Sequence, residues 1–153
     1  MEKIMALDVG EKRIGVAISD PLGLTAQPFK VIDRTIPNRD IDVLNAIVNE
    51  HSICRIVVGI PYNIEGKPGK SAVRILEFVN RLRAAAGVRI DTWDERFTTA
   101  YSERLLIEAG LSRSSRKSKI DKIAAACILQ EYLDKHNRER KTELGKGCPE
   151  RNL

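Results

Sequence analysis

The chain is short of cysteine, of aromatic side chains and of long apolar runs, and each shortage removes a class of protein. Three cysteines in 153 residues, with no Cys-x-x-Cys spacing, make neither a disulfide framework nor a zinc site. Cys54 and Cys127 sit inside apolar runs and Cys148 in a polar stretch, so all three read as reduced thiols without a role. No apolar run approaches the roughly 18–20 residues that span a bilayer, and the N-terminus lacks a signal peptide's apolar block, so a cytoplasmic address with no membrane partner is expected. Aromatics are 5%, but a hydrophobic share of 42% excludes wholesale disorder and a collagen-like repeat.

What is present suits one α/β domain with its own core. A chain of this length buries roughly 68–70% of the surface it exposes when unfolded, without disulfide help. Lysine and arginine number 26 against 21 acidic residues, and the net charge of +5 points toward an anionic partner, nucleic acid being the commonest, although solubility alone also accounts for it.

The continuous apolar run Ile4-Met5-Ala6-Leu7 predicts a central strand covered on both faces. It forms a hairpin with Arg13-Ile14-Gly15-Val16-Ala17-Ile18, with Gly10 at the turn. A short strand is expected at 29–32, and Ile41, Leu44, Ile47 and Val48 space out an amphipathic helix closed by His51-Ser52. Ile56-Val57-Val58 reads as a buried strand, 59–69 as an ordered Gly- and Pro-rich loop, 70–86 as a helix and 89–93 as the last strand. A helix capped by Thr98 or Thr99 is expected to run to Ala109. Residues 111–119 read as a mobile basic loop, and a final helix begins at Ile120. The pattern dissolves after Lys135, which makes 1–135 the folded domain and 136–153 a flexible charged tail. A leading hairpin followed by β-α units argues for a mixed sheet with helices on its faces.

Three carboxylates stand out. Asp8 ends a doubly buried strand, where a charge must be paired, hydrogen-bonded or on a metal, unless it simply bonds its own turn beside Gly10. Glu95 follows Asp94 at the exit of the last strand, so the two point to opposite faces; a charged turn countered by Arg96 is the plainer reading. Asp121 falls in the first turn of the expected last helix, where the macrodipole by itself favours a carboxylate. Brought together, the three would repel one another without cations. Mg²⁺ or Mn²⁺ takes a few such oxygens and keeps positions open for phosphate, and two such ions support in-line phosphodiester displacement.

Ala6-Leu7-Asp8-Val9-Gly10-Glu11-Lys12-Arg13-Ile14-Gly15-Val16-Ala17, Val58-Gly59-Ile60-Pro61-Tyr62-Asn63-Ile64-Glu65-Gly66, Asp94-Glu95-Arg96-Phe97-Thr98-Thr99 and Lys119-Ile120-Asp121-Lys122-Ile123-Ala124-Ala125 resemble, in order, the four signature blocks of the YqgF family of bacterial proteins. The resemblance spans residues 3–135. It implies a ribonuclease H-like mixed five-stranded sheet flanked by helices, with the Asp8 strand central. It also implies an acidic, metal-binding triad of Asp8, Glu95 and Asp121, and a nuclease that matures the 5′ end of pre-16S ribosomal RNA in ribosome biogenesis. Lys122 departs from the small Ser that some relatives carry there. The family was first described as Holliday junction resolvases, which keeps branched DNA as the alternative substrate.

Several residues are candidates for nucleic-acid contact. Lys12 and Arg13 follow the first carboxylate closely enough to meet a phosphate, and Arg96 either orients Glu95 or holds one. Tyr62 offers a stacking face beside Asn63, although that loop equally suits a structural cap. Arg113, Arg116, Lys117 and Lys119 suit salt-dependent backbone contact. Asp8-Val9-Gly10 with Gly15 also resembles the first phosphate motif of actin-like ATPases and sugar kinases, but only one copy is present. A catalytically silent nucleic-acid-binding module is a further alternative, disfavoured by three carboxylates beside a phosphate backbone. A junction resolvase should be a dimer with paired sites; an RNA nuclease acts as a monomer or weak homodimer, alone or on ribosomal particles.

Overall fold

The computed structural model describes residues 3–63, 65–95 and 113–145, with side chains in the last helix described from 122 to 142. Strands β1 (Lys3–Val9), β2 (Arg13–Ser19) and β3 (Ala26–Asp33) precede helix α1 (Pro37–Glu50), strand β4 (Ile53–Ile60), helix α2 (Lys70–Ala85), strand β5 (Arg89–Asp94) and helix α3 (Arg113–Gly145). They form one five-stranded sheet in the order β3-β2-β1-β4-β5. The β1–β2 and β2–β3 pairs are antiparallel, whereas β1–β4 and β4–β5 are parallel. This is the mixed sheet expected from a hairpin followed by crossovers, with β1 at its centre.

Alternation along β1 divides the core. Met5, Leu7 and Val9 join the larger apolar cluster, which also contains Leu44 and Ile47 of α1 and Phe78 and Leu82 of α2. Ala6 faces the other way, in a cluster with Ala17, Val57 and the α3 residues Ala125, Ile128, Leu129 and Leu133. The sheet is therefore covered on both faces, and the continuous apolar run follows from that. Each fully buried large aliphatic side chain here contributes about 1.5–3 kcal/mol. Ser52 takes the left-handed conformation (φ 53°) just beyond α1, which lets the chain turn directly into β4.

The last helix differs from the sequence expectation at both ends. Residues 113–119, read as a basic loop, are helical. Arginine and lysine are good helix formers, and neither Gly nor Pro occurs from Arg113 to Leu144. At the other end the helix does not stop at Lys135 but continues to Gly145. Asn137 Nδ2 donates to the Gly23 carbonyl (3.1 Å) and Thr142 Oγ1 to the Arg138 carbonyl (2.9 Å), so tertiary and local polar contacts sustain a stretch without an apolar stripe. The third strand is longer than the expected 29–32, because β2 templates it from Ala26 to Asp33. The helix expected over 98–109, Arg96 and the end of the chain from 146 lie outside the described residues.

Candidate active site

The parallel strands β1, β4 and β5 end at a common edge of the sheet, and the first two carboxylates meet there. Asp8 shares the α3-facing side of β1 with Ala6, because side chains alternate along a strand. Its partner in β2 is Gly15, and the next residue of β4 beyond the Leu7–Val58 pair is Gly59. Glu95 is set by one further ladder bond past β5, from its N–H to the Ile60 carbonyl (3.0 Å). A Cβ on Gly59 would stand 2.7 Å from Glu95 Cδ and 2.5 Å from Ile128 Cδ1. The glutamate carboxyl thus lies over a backbone with no side chain, beneath α3.

Burial pushes the Glu95 carboxyl up to about 8, and the charge of Asp8 and a side-chain hydrogen bond with it add to the rise. Asp94 and Glu131 contribute further repulsion. Two hydrogen-bonded carboxyls in such a place share a proton unless a cation replaces it. The donor set is carboxylate oxygen throughout, which fits a hard divalent cation. Among the described residues no group of three or more His, Cys, Asp or Glu stands close enough to hold a metal ion.

Asp121 lies within α3, well past its first turn, since Arg113 opens the helix. Eight residues at 1.5 Å rise place it about 12 Å from the start, beyond the reach of the terminal dipole, so that structural explanation for a carboxylate falls away. It stands two turns before Ile128 in the helix; Ala125, Ile128 and Tyr132 are buried against the sheet. Its side chain is outside the described residues, as are those of Arg113, Arg116, Lys117 and Lys119.

The remaining candidates are distributed around this edge. Lys12 is exposed in the β1–β2 turn and Arg13 is half-buried at the start of β2. Tyr62 pairs with Pro68 across the following loop and packs partly on the core. Asn63 closes that loop, its N–H donating to the Lys67 carbonyl (3.0 Å) and its Oδ1 accepting from Lys67 N–H (2.8 Å). These contacts order the loop itself.

A cleft of about 250 Å³ opens at the same edge, lined among others by Asp8, Glu95, Arg34, Ser71 and Arg74. Arg34 and its partner Asp40 had no sequence reading. Asp40 is buried in the first turn of α1 and accepts from Thr35 N–H (2.9 Å) and Thr35 Oγ1 (3.0 Å). An acid just after Ile36-Pro37 was the available signal for it; a lone arginine at a strand end offers none. Larger open grooves run along the C-terminal half of α3, beside Trp93 and Tyr132 and away from Asp8.

Three kinds of similarity bear on this site. Residues 2–135 match the family model described as RuvX: Holliday junction resolvase. A protein of Desulforamulus reducens with the provisional name pre-16S rRNA nuclease is 48% identical over 132 residues, 86% of this chain and 96% of its own. Relatives with the same name from Halothermothrix orenii and Clostridioides difficile are 44% and 46% identical, covering 89% and 86% of this chain and 97% and 94% of theirs. In fold, the chain resembles Thermus thermophilus RuvC in complex with a Holliday junction substrate (TM-score 0.57, 14% identity, 89% of this chain and 96% of that one). It also resembles the fowlpox virus resolvase bound to Holliday junction DNA (TM-score 0.56, 11% identity, 87% and 97%). These likenesses establish a ribonuclease H-like architecture, and with four signature blocks in order and a family match across residues 2–135, the chain belongs to the RuvX family.

Proposed function

We propose that this chain is a metal-dependent nuclease that processes the 5′ end of pre-16S ribosomal RNA, with residues 1–135 as its nuclease domain. The names of relatives 44–48% identical support the substrate. The observation that carries the chemistry is the pairing of Asp8 and Glu95 at the end of three parallel strands, with the Glu95 carboxyl raised to about 8. Asp8, Glu95 and Asp121 would hold Mg²⁺ or Mn²⁺, which supplies an activated water and charge stabilisation at the leaving oxygen. Asp8 and Glu95 line the cleft at this edge, where a substrate phosphate would reach the ions they hold. Lys12, Arg13, Arg96 and the basic first turns of α3 would hold the flanking backbone. Among the described residues no helix is long and apolar enough to cross a membrane, which accords with work on ribosomal particles in the cytoplasm.

The family's description keeps Holliday junction cleavage as a second reading. Purified protein with Mg²⁺ or Mn²⁺ should cut a labelled pre-16S 5′ segment, leaving 5′-phosphate and 3′-hydroxyl ends, and should leave a four-way DNA junction intact. Asp8→Asn should lower the rate more than the roughly 10–100-fold typical of an outer-sphere partner of a metal, while RNA binding persists. Paired symmetric nicks in the junction would establish the resolvase instead. Failure to cut either substrate would favour the silent binding module.

A further inference from the structure

We infer that Arg34 is a phosphate clamp of this site: its guanidinium, immobilised on three sides at the cleft that Asp8 and Glu95 line, receives a non-bridging oxygen of a nucleic-acid phosphate next to the one cut. The inference rests on the nuclease reading and adds to it a substrate contact on the α1–α2 side of the sheet. Arg34 follows β3 and reaches across the β1–β2 turn, where Nη1 donates to the Gly10 carbonyl (2.9 Å). Nε lies 3.6 Å from Asp40 Oδ2, and the guanidinium carbon lies 5.2 Å from the centre of the Phe78 ring. The Arg34 backbone N–H donates to the Lys12 carbonyl (2.9 Å), which ties its own strand end to the same turn.

Among the described residues the only hydrogen bond of this planar five-donor group is that of Nη1; Nε faces the buried Asp40 Oδ2 as an ion pair too long for a hydrogen bond, and Nη2 has no hydrogen-bond partner. The Asp40 carboxylate is itself held through Oδ1 by Thr35, which fixes the anionic end of the ion pair. Arg34 keeps 23% of its side-chain surface exposed against 2% for Asp40, and that surface borders the cleft. A neutral donor would suffice to pin the Gly10 carbonyl. A guanidinium on an aromatic platform beside two carboxylates is instead suited to a phosphate, whose oxygens accept from its fork. Immobilising its torsions beforehand removes entropy that binding would otherwise lose. Arg74, the other arginine of the cleft, differs: among the described residues it pairs with Glu11 (3.0 Å), both side chains being largely exposed, a pairing of little energetic weight.

The test uses the full chain carrying Asp8→Asn, titrated with a labelled single-stranded RNA across a salt series. Adding Arg34→Gln should weaken binding about 10–100-fold. It should also flatten the slope of log K against log salt by about 0.7, the loss of one phosphate contact. An unchanged slope and affinity, even with a lowered melting temperature, would overturn the clamp and leave a turn-pinning role. If Arg34→Gln does not fold, glyoxal modification of the unsubstituted arginine answers the question: saturating RNA should slow reaction at Arg34, and an equal rate with and without RNA would overturn the inference. The two readings fail separately. A wild-type chain that cuts nothing while Arg34 still governs binding defeats the nuclease, and one that cuts RNA while Arg34 is indifferent defeats the clamp.

Discussion

Glu95 shows how much of this site is set by one side chain's surroundings. Its carboxyl is raised from 4.5 to about 8, first by burial and then by Asp8. A folded-state value above the unfolded one contributes stability that is complete below the unfolded value and is lost as pH rises through the folded one. Metal-free protein should therefore melt lower as pH rises from about 5 toward 8–9, by at least about 2–4 °C, the shift that 1 kcal/mol produces in a chain of this size. Mg²⁺ should reverse the loss, and Glu95→Gln should remove the pH dependence; a flat melting curve against pH in the wild type would contradict the shift. Gly59 is the complementary case. In Gly59→Ala the methyl would meet the Glu95 carboxyl and Ile128 Cδ1. Urea unfolding should show a cost of about 1–3 kcal/mol, with weakened cation binding seen by calorimetry. In the sequence, Gly59 was legible only as part of a signature block; its reason, the space it leaves for Glu95, is tertiary.

At the scale of elements, α3 is the part that sequence patterning described least well. The existence of a last helix was plain, but its ends were not. The serines and basic residues of 113–119 look like loop material, and the charged stretch beyond Lys135 lacks an apolar face to announce a helix. Beyond its apolar packing on the sheet, α3 is anchored by a polar contact that periodicity cannot show. Tyr132 is buried, and its hydroxyl donates to Asp91 Oδ2 (2.9 Å) and accepts from Arg55 Nη1 (2.5 Å), tying the helix to β4 and β5. Burial pushes its phenol upward, so it stays a neutral donor at ordinary pH. Tyr132→Phe should leave the ring packing intact and cost about 1–3 kcal/mol by stranding partly buried polar partners. A stability equal to wild type in denaturant titration would show that water replaces the hydroxyl.

At the scale of the molecule, the order β3-β2-β1-β4-β5 gathers the ends of three parallel strands at one edge and so assembles the site from distant parts of the chain. The helix that covers that edge is also held from the opposite end. His136 stacks on Tyr132 with centroids 5.4 Å apart, Gln130 bonds Ala26 N–H (2.9 Å), and Asn137 reaches the Gly23 carbonyl. Ending the chain at Lys135 should remove the first and last of these and lower the melting temperature by about 2–4 °C or more, the effect of 1 kcal/mol. An unchanged melting temperature would show that residues past 135 add nothing to the fold. The strand and helix order, and the centrality of β1, were legible because continuous and periodic apolar patterns are local consequences of burial.

By itself, the sequence determined the strands, the helices α1 and α2, the mixed sheet and the hairpin at Gly10, since each is written in neighbouring residues, and signature blocks made Asp8, Glu95 and Asp121 candidates. Only the tertiary structure decided that Asp8 and Glu95 touch, that Gly59 makes room for them, that Arg34 turns toward the same cleft and that α3 runs from Arg113 to Gly145. Those facts depend on strand order, on alternation across two faces of a sheet and on contacts between residues far apart in the chain. None of these has a local pattern to read.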